Sequence, residues 1–115
     1  MRRSVSPVRE RDVKILIRDL LAARGFVVFR RNVVGTRIVE YKGRRRAIHG
    51  ETRGSSDFYG WHRQTGRHIE VEVKVPGKEP SPWQEAWLEM CRGSGAIAFW
   101  ADSVEECERQ LTECG

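Results

Sequence analysis

His68-Ile69-Glu70-Val71-Glu72-Val73-Lys74-Val75 is the stretch on which the reading of this chain turns. Ile69, Val71, Val73 and Val75 alternate with Glu70, Glu72 and Lys74, the period-two pattern of a β-strand with one apolar and one polar side. Burying the apolar side sends two carboxylates and an amine to the opposite side together, because side-chain direction along a strand repeats every two residues. Pro76, Gly77 and Pro80 end the strand. Upstream, Asp57-Phe58-Tyr59-Gly60-Trp61 reads as a second extended segment, joined through a turn from His62 to Gly66, so a hairpin would carry Asp57 close to Glu72. Two carboxylates a few ångströms apart repel. The natural relief is a hard divalent cation with oxygen ligands, Mg²⁺ or Mn²⁺, which can bind a phosphate oxygen and offset charge in phosphodiester cleavage.

Working outward, Ser81-Pro82-Trp83-Gln84 opens a helix with a capping signature, and Trp83, Trp87 and Cys91 are expected on its inner side before Gly93. Residues 96–101 form a short apolar strand. Ser103-Val104-Glu105-Glu106 caps a last helix with Val104, Cys107 and Leu111 inward. At the other end, Ser6-Pro7 reads as a helix start, and Val13, Leu16, Ile17, Leu20 and Leu21 recur at helical spacing until Gly25. Residues 26–29 and 38–41 read as strands. Between Lys42 and Ser56 the pattern dissolves, and this segment is expected to be a long loop carrying Arg44, Arg45, Arg46 and Arg53. Five extended segments are named, and the order taken for the core, α-β-β-β-α-β-α, uses four of them. A strand that reaches the next strand through a helix requires a parallel pairing, so an α/β fold with a mixed four-stranded sheet flanked by helices is expected.

The 115 residues fit one domain, taken as 1–115. No apolar run approaches a membrane span and the N-terminus lacks a secretory h-region, so an intracellular, cytoplasmic protein of a bacterial or phage-infected cell is expected. Cys91, Cys107 and Cys114 are odd in number and have no C-x-x-C spacing; they read as ordinary thiols in a reducing compartment. The charge is lopsided: residues 1–78 hold 19 Lys and Arg against 8 Asp and Glu, and residues 79–115 hold 2 against 8. Seventeen of the basic residues are arginine, whose planar fork matches phosphate oxygens. Nucleic acid is the leading partner class.

Gly54-Ser55-Ser56-Asp57, followed fifteen residues later by Glu72-Val73-Lys74, resembles the D-(x)n-E-x-K signature of the PD-(D/E)XK nucleases, and the element order resembles their restriction-endonuclease-like αβββαβ core. The Gly-x-x-Asp lead-in, the Glu-Val-Lys strand with Pro-Gly after it, and the Ser-Pro-x-Gln helix start together resemble the VRR-NUC group, the virus-type replication-repair nucleases. Ser56 stands where the superfamily's proline would. The resemblance implies that Asp57 and Glu72 ligate Mg²⁺ or Mn²⁺ with help from the Val73 carbonyl, that Lys74 orients or deprotonates the attacking water, and that Gln84 projects toward the same site. It implies that Glu10, on the first helix, is a further metal contact; the arginine-rich segment is expected to hold nucleic-acid phosphates through Arg44, Arg45, Arg46 and Arg53, with Ser55 beside them. The activity implied is metal-dependent DNA endonuclease, with a homodimer cutting branched DNA such as four-way junctions, for which Trp83, Trp87 and Trp100 would supply apolar interface.

Each residue also has a plainer role. Glu72 and Lys74 could face solvent on a half-exposed strand, Gln84 could serve the capping box alone, and Glu10 could favour the helix dipole. Glu70 falls outside the E-x-K register and is expected beside the site, not in it. His49, His62 and His68 lack zinc or H-N-H spacing, and Trp61 is placed near nucleic acid. The competing classes are a non-catalytic DNA-binding module and a nuclease subunit that needs a partner for targeting.

Overall fold

A computed structural model of the chain describes residues 9–31, 37–48 and 54–114. The elements run α1 (Glu10–Ala23), β1 (Phe26–Arg30), β2 (Arg37–Tyr41), β3 (Arg44–Ile48), β4 (Phe58–His62), β5 (His68–Val73), α2 (Pro82–Gly93), β6 (Ile97–Ala101) and α3 (Val104–Cys114). Four strands form one sheet in the order β1-β4-β5-β6, antiparallel except for the β5–β6 pair, which α2 makes parallel as a strand–helix–strand crossover must. Leaving out β2 and β3, the path is αβββαβ followed by α3.

The remaining two strands correct the sequence reading. The segment after Lys42 is not a loop: Arg44–Ile48 pairs antiparallel with Arg37–Tyr41 as a separate ribbon. Lys42 and Gly43, with φ of 51° and 73°, form the two-residue turn between them, a backbone form matched to the strand twist of hairpins. The strand expected at 38–41 therefore belongs to this ribbon and not to the main sheet. Arg53, His49 and the helix start at Ser6 and Pro7 lie outside the described residues; α1 is described from Glu10, with Arg9 at its N-cap.

The core sits between α1, α3 and one face of the sheet. Val13, Ile17 and Leu21, spaced four apart on α1, meet Phe26, Phe58, Ile69, Val71, Val73, Ile97, Phe99 and Ala101, with Cys107 of α3 closing the layer. Each such side chain contributes about 1.5–3 kcal/mol on burial. Leu16, expected on this stripe, is exposed, because three positions per two turns suffice to meet the flat sheet. The opposite face is covered over β5 and β6 by α2, where Leu88 and Cys91 pack on Ala96 and Ala98 with Trp87 and Trp100 at the margin. Trp83 is exposed and not on the inner stripe that the sequence placed it in. Gly60 is required on β4: a Cβ there would fall 1.8 Å from the Val27 carbonyl oxygen of the neighbouring strand.

Because helices lie on both sides of β5, both of its faces are buried. Glu70 is fully buried and Glu72 is 3% exposed, so the acidic side of this strand is an interior surface and not the solvent-facing one that alternation alone would give. The strand ends at Val73, two residues short of the expected Val75, although the Lys74 amide still donates to the Ala101 carbonyl at 3.0 Å.

Candidate active site

The parallel pairing of β5 with β6 and the antiparallel pairing of β4 with β5 bring the start of β4 beside the end of β5. Asp57, just before β4, spans that gap: its Oδ2 accepts the Val73 amide hydrogen at 2.8 Å. This bond ties the Asp57 carboxylate to the backbone between Glu72 and Lys74. Sequence spacing brought these three residues into one proposal, and the fold brings them to one place.

Their charges are balanced by two amines. Lys74 Nζ lies 3.9 Å from Glu72 Oε1, and Lys14 Nζ, from the first turns of α1, lies 3.2 Å from Asp57 Oδ1. The balance is incomplete. Glu72 Oε2 is buried and has no hydrogen-bond partner among the described residues. Burial, then the adjacent Asp57 carboxylate, pushes the Glu72 carboxyl up to about 9 against the opposing pull of Lys74 and Lys14. A buried carboxylate oxygen with nothing to accept from is costly, and a divalent cation is the species that would relieve it. Asp57 and Glu72 are the residues here whose oxygens could hold a hard divalent cation. Among the described residues no group of three or more acidic, histidine or cysteine side chains converges, so two carboxylates are the side-chain ligands on offer.

Glu10 is half-exposed at the start of α1 and lies 3.7 Å from Lys14, so it touches Asp57 through that amine and does not join the carboxylate pair. Gln84 is taken up by the helix cap: its amide nitrogen donates to Ser81 Oγ at 3.2 Å and its Oε1 accepts the Ser81 amide at 2.8 Å. Ser55 Oγ is buried without a partner among the described residues. Arg44, Arg45 and Arg46 are exposed on β3.

Three features of the site escaped the sequence. Lys14 is one; its signal was the i,i+4 spacing from Glu10 on the edge of the buried stripe of α1. The second is the network around Glu70, which accepts from Arg31 Nη1 at 2.7 Å and Nη2 at 3.2 Å, from Ser56 Oγ at 2.7 Å and from Trp87 Nε1 at 2.9 Å, while His68 Nε2 lies 2.5 Å from its Oε2. Burial alone would raise its pKa, but these partners hold the carboxyl below its ordinary range. Arg31 also stacks over Tyr59 and Trp87, donates from Nη1 to the Ser56 carbonyl, and donates its own amide to the Asp57 carbonyl at 2.7 Å. Glu70 thus braces the backbone that carries Asp57. Gly54 adds to the bracing: its φ is +85°, and a Cβ would fall 2.5 Å from the Trp83 carbonyl oxygen, so the lead-in to Asp57 lies against the start of α2. The third is a groove of about 480 Å³ along α1 and β1, lined by Glu10, Arg11, Lys14, Arg18 and Arg30, which reaches Phe58 beside Asp57.

Comparisons with known proteins bear on the family and the fold. The profile of the VRR-NUC domain matches residues 31–105, from Arg31 of the bracing network through the start of α3. A solved structure described as a VRR_NUC domain is similar in fold over 90% of this chain and 94% of that one, with a TM-score of 0.61 and 23% sequence identity. No curated protein matches the sequence. No helix among the described residues is long and apolar enough to cross a membrane. With Asp57, Glu72 and Lys74 gathered at the end of β5, and with most of the chain inside the profile, this protein belongs to the VRR-NUC domain family and is a nuclease-type domain.

Proposed function

We propose that this domain is a metal-dependent endonuclease that hydrolyses phosphodiester bonds in DNA. The observation that carries the reading is the buried Glu72 Oε2 beside Asp57, which has no hydrogen-bond partner among the described residues and is flanked by Lys74 and Lys14. Asp57 and Glu72, with the Val73 carbonyl, would hold Mg²⁺ or Mn²⁺, which supplies positive charge to the phosphate as it gains negative charge in the transition state. Lys74 would orient the attacking water or the scissile phosphate, and its ammonium would add to that stabilisation. Lys14 holds Asp57 in register from α1. The groove lined by Arg11, Arg18 and Arg30 supports a backbone path that leads to the carboxylates.

Substitution of Glu72 by Gln removes a ligand charge while keeping shape. Cleavage should fall by at least about a thousandfold, a barrier increase of about 4 kcal/mol, with DNA binding nearly unchanged. A variant that cuts at wild-type rate would remove the site.

The finer reading is preference for branched DNA by a homodimer. Trp83 and Met90, one stripe on α2 and both more than half exposed, support self-association through that helix. Paired nicks across a four-way junction follow if two copies present two sites. Trp83→Glu with Met90→Glu should give a monomer by sedimentation and uncouple the two nicks; a wild type that is monomeric with and without junction DNA contradicts paired cutting.

A further inference from the structure

The β2–β3 ribbon lies outside the four-stranded sheet, and from Ile38 to Ala47 every side chain is exposed except the half-buried Val39. Isolated two-stranded hairpins are marginal in water, so a surface this open needs a partner. Its charge says which kind. Residues 37–48 contain Arg37, Lys42, Arg44, Arg45 and Arg46 against the single acid Glu40. No ion pair or hydrogen bond engages the side chains of Arg44, Arg45 or Arg46 among the described residues.

The register divides these arginines between two faces. Tyr41 stands opposite Arg44 and Val39 opposite Arg46, and these four share one face; Glu40 stands opposite Arg45 and Ile38 opposite Ala47 on the other. Between positions 38 and 47, one face therefore carries two arginines with a tyrosine and no acid. The other pairs its arginine with a glutamate, which offsets the charge.

We propose that the β2–β3 ribbon is a DNA-gripping arm that lays its Tyr41–Arg44–Arg46 face against the phosphates bordering a duplex groove, with Arg45 turned away. Two strands about 5 Å apart fit the B-form major groove, which admits a ribbon of this width. The A-form major groove is too narrow for it. The arm adds backbone grip without reading bases, since arginine and tyrosine at these positions meet phosphate and sugar first. The proposal rests on DNA being the substrate, and binding measured without cleavage separates the two.

The test is the salt dependence of duplex DNA binding in EDTA, read by fluorescence anisotropy, for the full chain and for Arg44→Ala/Arg46→Ala, Arg45→Ala and Arg44→Lys/Arg46→Lys. Each phosphate contact contributes roughly 0.9 to the slope of log K against log salt, so the first variant should flatten the slope by roughly 1.8 and the lysine variant should restore most of it. Arg45→Ala should move it by less than a third of that. Equal losses for all three arginines, or none, would overturn the assignment. A wild-type dimer that Tyr41→Ala dissociates, with the salt slope unchanged, would make the ribbon a self-association surface and overturn it too. If the slopes divide as expected while the wild type cuts nothing with Mg²⁺ or Mn²⁺, the arm stands and the nuclease reading fails.

Discussion

At the scale of single residues, Glu72 and Glu70 are two buried carboxylates on one face of one strand with opposite fates. Glu70 is met by an arginine, a serine, a tryptophan and a histidine, and its pKa is lowered; Glu72 keeps an oxygen with no partner among the described residues, and its pKa is raised. A carboxylate whose pKa is depressed by folding contributes stability above its unfolded value, near 4.5, and loses it as pH falls through the folded value. Acid unfolding of the wild type should therefore be steeper below pH 4.5 than that of Glu70→Gln, while at neutral pH the variant is the less stable. Melting temperatures from pH 3 to 7 check this; parallel curves would show that Glu70 is not ionised in the fold. Because Glu70 braces Ser56 and Arg31, which hold the Asp57 backbone, Glu70→Gln should also slow cleavage. That Asp57, Glu72 and Lys74 belong together was legible because alternation fixes side-chain direction and the Asp57 spacing fits a hairpin. That both acids are buried was not, since whether a strand's polar face meets water depends on a helix that arrives ten residues later.

At the scale of elements, α2 separates capping from catalysis. Gln84 closes the capping box with Ser81, and replacing it by Ala should cost about 1 kcal/mol of stability while leaving the cleavage rate within a few-fold of wild type. A large rate loss with unchanged melting would instead give Gln84 a chemical role. Gly60→Ala should be far more damaging, because its methyl would collide with the Val27 carbonyl and part β1 from β4; a loss of more than about 3 kcal/mol, read by urea titration, is expected. The central strands were readable from periodicity, and α2 and α3 from their serine caps as well; α1 was readable from its apolar stripe alone, because its N-cap is Arg9, which makes no side-chain cap bond, and not Ser6. The β2–β3 ribbon was not: Lys42 in place of the usual Asn or Asp weakens the Lys42-Gly43 turn signal, and three consecutive arginines have no apolar alternation. The ribbon was hidden by its own exposure, since a hairpin with no buried face leaves no period-two pattern of hydrophobicity to find.

At the scale of the whole molecule, the sheet gathers the carboxylates while the basic side chains spread outward along α1, β1 and the ribbon. If Asp57 and Glu72 form a metal site, Mn²⁺ should raise the melting temperature by mass action, by the equivalent of about 2.7 kcal/mol at a hundredfold excess over its dissociation constant, and Glu72→Gln should abolish the rise. A wild type indifferent to Mn²⁺ would favour a binding module that has lost its chemistry. The measurement that bears most directly on the central claim is cleavage of end-labelled linear, flap, splayed and four-way-junction DNA by wild type and Glu72→Gln, with Mg²⁺, Mn²⁺ or EDTA. The predicted result is cutting by the wild type alone, only with metal, and most on the branched substrates; equal cutting by Glu72→Gln, or cutting in EDTA, would contradict it.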